Sequence, residues 1–320
     1  MAETARSRLS EWRIGCYSAM YLPISVALLP VGVYVQPHYA ELGISLFVMA
    51  GIILGARLSD VVTDPLIGVL SDKMHTRFGR RKPWIVIGTP LLMFSIYMLF
   101  LPGEDPSAWY FGFWVVMVYL AFTIVNLPYF ACGAELTPDY NERTKVTGRR
   151  EQFHYLGVVI ATALPLVAGI LIYLADGSKT LDGLLANIEG ELGSVMEAQA
   201  GNPGVILEWL SVFVIPALPL TVFFALAFVK EPSQVVIPRR KPSFLASLKV
   251  IRRNGPFVRL VICYTVSTVG GAMTGALSYF FCKHVIDAGE WYSVYLLVYY
   301  VASTVGLFFW MWLAKRIGKH

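Results

Sequence analysis

The sequence predicts an all-α integral membrane protein, a bundle of eight transmembrane helices. Three observations carry that expectation. Of its 320 residues 56% are hydrophobic and only 15% are Asp, Glu, Lys or Arg, whereas a soluble domain carries about 25% charged residues. The mean hydropathy is +0.61. The apolar residues are also gathered into eight long runs, and a bilayer core of about 30 Å at about 1.5 Å per residue needs about 20 residues to cross. A soluble fold would need more surface charge, a disordered chain far fewer apolar residues, and a fibre a short repeat that is absent here.

The runs are 14–35, 43–70, 84–102, 109–134, 153–175, 209–229, 257–282 and 291–313. Backbone polar groups find no water in lipid, so each run is expected to be a helix. Residues 1–13 are polar and charged and do not read as a signal peptide. Residues 176–208 form the one long external loop. Within it Leu181, Leu184, Leu185, Ile188, Leu192, Val195 and Met196 share a helical face opposite Asp182, Glu189, Glu191 and Glu197. Anionic headgroups repel such a face, so it is expected to pack on the protein. Residues 231–256, with Pro232, Pro238 and Pro242, read as a cytoplasmic linker. Residues 1–230 then form a six-helix bundle, and 257–320 the first two helices of a second.

Basic residues set the orientation. The N-terminus and alternate loops hold 22 of the 26 Lys and Arg residues. Both termini are therefore expected in the cytoplasm, with the chain in the plasma (inner) membrane. The net charge of +5 reads as a topology signal, which argues against a nucleic-acid partner and leaves a small solute, a coupling cation and membrane lipid. The four cysteines (Cys16, Cys132, Cys263, Cys282) show no metal-ligand spacing and fall in or beside apolar runs, where Cys behaves as a small hydrophobe.

The second run carries Arg57, Asp60 and Asp64. A charge near mid-bilayer costs at least a few kcal/mol and is rarely idle. Asp60 and Asp64 are four residues apart on one helical face, and Arg57 lies one turn before Asp60. The trio sums to −1 when ionised. Two close carboxylates raise each other's pKa, and a bound H⁺ or Na⁺ relieves the repulsion. Thr63 offers a further oxygen to a hard cation. The bland reading is an Arg–Asp pin between helices, for which one Asp suffices. An intramembrane aspartyl protease needs two Asp facing across a cleft, which neighbours on one helix cannot provide. No catalytic triad, metal cluster or phosphate-cradling glycine loop stands out, and no cofactor is expected beyond the coupling ion.

The following loop reads Gly68-x-x-x-Asp72 and then Arg77-x-Gly79-Arg80-Arg81-Lys82-Pro83-Trp84, with Asp60-x-x-x-Asp64-Pro65 before it. Together with Asn126-Leu-Pro-Tyr129 and Glu135-Leu-Thr-Pro-Asp139, these motifs resemble the glycoside–pentoside–hexuronide:cation symporters of the major facilitator superfamily, over residues 12–320. The resemblance implies a major-facilitator-type bundle and alternating access. It also implies cation-coupled transport of a small solute, a sugar or glycoside first. It makes Asp60 and Asp64 a cation site completed by Thr123 and by Thr63, which stands where a member of the family has Asn. For solute, Asn126 can hydrogen-bond a hydroxyl and an Arg of the family corresponds to Arg149 or Arg150, while Tyr17, Tyr21, Tyr129 and Phe130 can stack on a sugar, although aromatics at such positions are more often packing. The acids that bind sugar in that member are replaced here, one near Pro23 or Ile24 and the other by Asn126, which leaves room for lipid-like cargo. Gly68, Asp72, Arg77, Gly79, Arg80 and Arg81 read as a cytoplasmic gating loop. The glycines would allow close approach, Asp72 would meet a helix N-terminus, and the arginines would reach acids or lipid phosphate.

After the eighth run, Lys315-Arg316-Ile317-Gly318-Lys319 looks like a weakened copy of that loop. Internal repeats are a mark of transporter folds, and this one implies that four spans of the second bundle are missing. A truncated or repurposed relative that does not transport is therefore the competing class.

Overall fold

The computed structural model describes residues 9–74, 76–175, 202–229 and 253–317. Among these the regular elements are helical: α1 (Glu11–Ala19), α2 (Tyr21–Val33), α3 (Val35–Glu41), α4 (Leu46–Lys73), α5 (Lys82–Phe100), α6 (Ala108–Glu135), α7 (Tyr140–Ala175), α8 (Pro203–Phe228), α9 (Gly255–His284) and α10 (Tyr292–Ile317), with a 3₁₀ turn at Gly289–Trp291. Among the described residues seven segments are long and apolar enough to cross a membrane, counting Glu11–Val33 as one. The eighth predicted run falls on α10, where the apolar stretch is Val294–Gly306. In the sequence the apolar run continues to Leu313.

Two boundaries differ from expectation for physical reasons. The first run is not one helix but α1, α2 and α3. A proline ring clashes with the carbonyl four residues earlier and donates no hydrogen bond, and Pro23 and Pro37 lie four residues after the ends of α1 and α2. The stretch 137–152, expected as a loop, is helical from Tyr140. The Asp139 carboxylate accepts from the Glu142 amide at 3.1 Å, a helix-starting cap. The helix thus carries Arg143, Lys145, Arg149 and Arg150 beyond the apolar run. The amphipathic stretch 181–197, residues 231–252 of the linker and the end of the basic copy, 318–320, lie outside the described residues.

α5 packs on α6, α4 on α6, and α2 on α7, while α8 closes against α5, α2 and α1. α10 lies along α7, and α9 touches α2. The shared core holds the fully buried Tyr17, Tyr34, Tyr39, Tyr129, Phe100 and Phe111. Close helix crossings are set by missing side chains. A Cβ on Gly157 of α7 would lie 2.5 Å from the Leu22 carbonyl oxygen, and one on Gly133 would strike the Tyr17 hydroxyl. Outside the core, α4 exposes Leu54, Leu58, Val61, Val62, Leu66 and Val69, an apolar face fit for lipid or further protein.

Candidate functional site

α4 and α6 build the central cluster. The face that α4 turns to α6 carries Asp60, Thr63 and Asp64, and α6 answers with Tyr119, Thr123 and Asn126, spaced at helical intervals on one face. The Thr123 hydroxyl donates to Asp64 Oδ1 at 2.9 Å. Arg57 Nη1 lies 3.6 Å from Asp60 Oδ2, and its guanidinium sits 4.0 Å above the Tyr119 ring. Arg57 is thus engaged by an acid and an aromatic face at once. Among the described residues Asp60 has its counter-charge, whereas Asp64 has a neutral donor and no cation, so one negative charge remains when both are ionised. Thr63 Oγ1 and Asn126 Oδ1 are buried without a hydrogen-bond partner among the described residues. Buried polar atoms in native proteins are almost always satisfied. Carboxylate, hydroxyl and amide oxygens are the ligand types that a hard cation takes.

The residues expected near solute divide into two groups. Tyr17 and Tyr129 stack at 4.5 Å, and each hydroxyl donates to the other residue's carbonyl at 3.1 Å. Both are fully buried. Tyr17 is therefore a helix-to-helix clasp in this structure and does not line an open site. Tyr21 and Phe130 instead face a polar group of α7. Their rings are 5.4 Å apart, and the Arg150 guanidinium lies 4.1 Å over Phe130 and 5.6 Å from Tyr21. Arg150 also pairs with Glu151 at 2.6 Å. Arg149 points elsewhere, 3.4 Å from Glu11, so the structure separates two arginines that the sequence left equivalent. His154 lies inside α7. Its Nδ1 shares a hydrogen bond with Ser25 Oγ at 2.7 Å, and its ring stands 5.3 Å from Tyr21. Its position one turn after Arg150 was the available signal.

The basic loop caps the other end of α4. Gly79 has φ of +112°, a conformation suited to glycine. Thr76 and Gly79 exchange backbone hydrogen bonds at 3.0 and 3.3 Å across it. Gly68 has no such role, since a Cβ there would meet nothing within 4 Å; α4 runs past it without a close neighbour. Asp72, expected at a helix N-terminus, instead meets Arg81 at 3.4 Å and Arg80 at 3.7 Å. The arginines reach Glu135 at the end of α6, Arg81 at 2.8 Å and Arg80 at 2.9 and 3.1 Å to its two oxygens. Glu135, which opens the Glu135-Leu-Thr-Pro-Asp139 motif, is thus the shared partner of both arginines. Arg77 stays exposed, over the Phe78 ring at 4.8 Å. Lys82 Nζ donates to the Leu226 carbonyl at 2.8 Å and ties α5 to the end of α8.

The MFS/sugar transport protein family matches residues 16–320 of the chain. Among curated proteins, a sodium-dependent lysophosphatidylcholine symporter 1-B of Danio rerio is 25% identical over 98% of this chain and 62% of its own length. An isoprimeverose transporter of Lactiplantibacillus pentosus is 25% identical over 95% of the chain and 60% of its own length. A sphingosine-1-phosphate transporter of Xenopus tropicalis is 25% identical over 95% and 58% respectively. The chain thus spans about three fifths of the length of these relatives. They are transport proteins and not enzymes.

Proposed function

This chain belongs to the MFS/sugar transport protein family, a multi-pass membrane protein, and from that premise we propose that it serves cation-coupled secondary transport. The observation that carries the proposal is the α4–α6 cluster, where Asp64 pairs with the neutral Thr123 hydroxyl and where, on the same two helices, the Thr63 and Asn126 oxygens are buried without a partner among the described residues. Sodium is the coupling ion in this reading. The donor set is oxygen only, and the Danio rerio relative is named sodium-dependent. Binding of Na⁺ neutralises Asp64 and shifts the balance between two arrangements of the helices. Both termini lie in the cytoplasm, as the basic residues imply.

The solute is an amphiphile with a phosphate-bearing headgroup, held by Arg150 and the rings of Tyr21 and Phe130. Two of the relatives above are named for such molecules. A sugar is the second reading, favoured by the buried Asn126 amide oxygen, which can accept from a hydroxyl, and by the name of the bacterial relative.

Uptake into proteoliposomes tests this. A sodium gradient should drive uptake of fluorescent lysophosphatidylcholine, and Asp64→Asn should abolish the sodium dependence while leaving protein in the membrane. Undiminished sodium-driven uptake by that variant would overturn the cation assignment. Competition by isoprimeverose but not by lysolipid would replace the first cargo with the second.

A further inference from the structure

At the end of the bundle opposite the Arg80–Arg81 cluster, the loop into α4 and the loop into α6 come together. Gly43 and Ser45 of the first and Asp105 and Pro106 of the second line a shallow hollow of about 310 Å³. Val48 and Ala108 line that hollow and also a longer groove of about 660 Å³ between the first turns of α4 and α6. The two cavities therefore adjoin, and they differ in character. Loops 42–45 and 101–107 carry Glu104 and Asp105 and no Lys or Arg, and both acids are exposed. The groove is lined by Ile52, Gly55, Ala56, Gly112 and Phe113 among others, none of them charged.

The groove lies at a defined depth. From Val48 to Ala56 it follows α4 for about 12 Å. Trp109, 88% exposed, stands on its wall, and an exposed Trp at the end of a spanning helix marks the headgroup level of a bilayer. The groove thus starts among the headgroups and runs inward beside the acyl chains. Glycine makes its space. At Gly88 a Cβ would run into Ile124 and Val125 at 2.7 Å, so that glycine brings α5 and α6 into contact. A Cβ on Gly55 would meet nothing within 4 Å, and one on Gly112 would rest on Ile52 at 3.4 Å. These two glycines leave room that no described side chain fills. Its volume lies within the range of small-molecule sites, about 300–1,000 Å³. An apolar groove at this depth accepts an acyl chain, and acids at its headgroup end favour a cationic group.

We propose that this groove is a site for a resident phospholipid with an ammonium headgroup. One acyl chain lies between α4 and α6, and the ammonium stands beside Glu104 and Asp105. The lipid braces α4 against α6, the two helices joined at Asp64 and Thr123. The site shares no lining residue with the Arg150 cluster on α7, so this lipid is not the transported solute.

Photocrosslinking in proteoliposomes tests this on the full chain. A phosphatidylethanolamine with a diazirine on one acyl chain is irradiated, and adducts are mapped to peptides. Adducts on 48–56 and 108–116 should exceed those on the lipid-exposed Leu58, Val62, Leu66 and Val69 of the same helix. Unlabelled phosphatidylethanolamine should compete about fivefold better than phosphatidylglycerol at the groove, the range exposed charges support, and no better at the exposed face. Gly55→Leu, which fills the groove and favours the helix, should lower groove adducts about tenfold while the exposed face labels as in the parent. Glu104→Gln with Asp105→Asn, both on an exposed loop, should keep the adducts and lose the headgroup preference. Arg150→Gln should label as the parent does. Equal labelling of groove and exposed face, or parent-like groove adducts in Gly55→Leu, would leave annular lipid only and overturn the site. Loss of groove adducts in Arg150→Gln would overturn it by assigning the lipid to the solute path. Uptake is not read, so a failure of the transport reading leaves this result intact.

Discussion

Two charged clusters sit at different depths on the same pair of helices, and they are satisfied to different degrees. At the loop end of α4, Asp72, Arg80, Arg81 and Glu135 join α4, α5 and α6 through five contacts between 2.8 and 3.7 Å. About two thirds of the way along α4, Asp64 has one neutral partner among the described residues, and Thr63 and Asn126 have buried oxygens with none. Two arginines face two acids at the loop end, so that cluster is neutral; the inner one carries a net charge of −1. The two acids of the outer cluster reach water, Asp72 being 60% and Glu135 42% exposed. Desolvation makes the same incompleteness expensive inside the bundle. The outer cluster therefore reads as a structural tie between helices and the inner one as a place kept open for an ion.

Substitutions break or sharpen that contrast. Asp64→Asn should have the largest effect, lowering sodium-stimulated uptake about 100-fold, the scale of a lost charged ligand, with little change in membrane abundance. Thr63→Val and Asn126→Leu should each raise the sodium concentration for half-maximal uptake about tenfold, since each removes one neutral oxygen; a sodium titration of uptake checks both. In the outer cluster the effect should fall on stability. Arg81→Lys cannot bridge Asp72 and Glu135 as a guanidinium does, and it should lower the thermal midpoint by a few degrees, about 1–2 kcal/mol, while leaving the sodium requirement unchanged. Tyr17→Phe should be smallest, costing about 1 kcal/mol for one lost hydroxyl hydrogen bond, read by the same melting assay. A sodium requirement that moved more with Arg81 than with Asp64 would erase the distinction between the clusters.

Much of this was legible before any coordinates. Apolar run length locates the membrane helices, and an Asp pair at helical spacing in lipid points to an ion site. Partners supplied by distant helices leave a weaker trace. Nothing local tells Arg149 from Arg150; the rotation of α7 against α1 and α6 decides that one meets Glu11 and the other Phe130. Tyr17 and Tyr129 lie 112 residues apart, and only the α1–α6 crossing, permitted by Gly133, reveals that they clasp each other. The breaks at Met20 and Tyr34 could have been read from Pro23 and Pro37, and the early start of α7 from Asp139 and Glu142. Apolar content obscured both, because it reports burial in lipid and is blind to backbone geometry.

The central claim is that the Asp60–Asp64–Thr123 cluster binds the coupling cation, and ion binding to the native state raises its melting temperature. The direct measurement is the thermal midpoint of the purified chain across a sodium titration, with choline holding ionic strength constant. The account predicts a saturable, sodium-specific rise in the parent and in Arg81→Lys, and a flat response in Asp64→Asn. An equal rise in Asp64→Asn, or no sodium-specific rise in the parent, would contradict it.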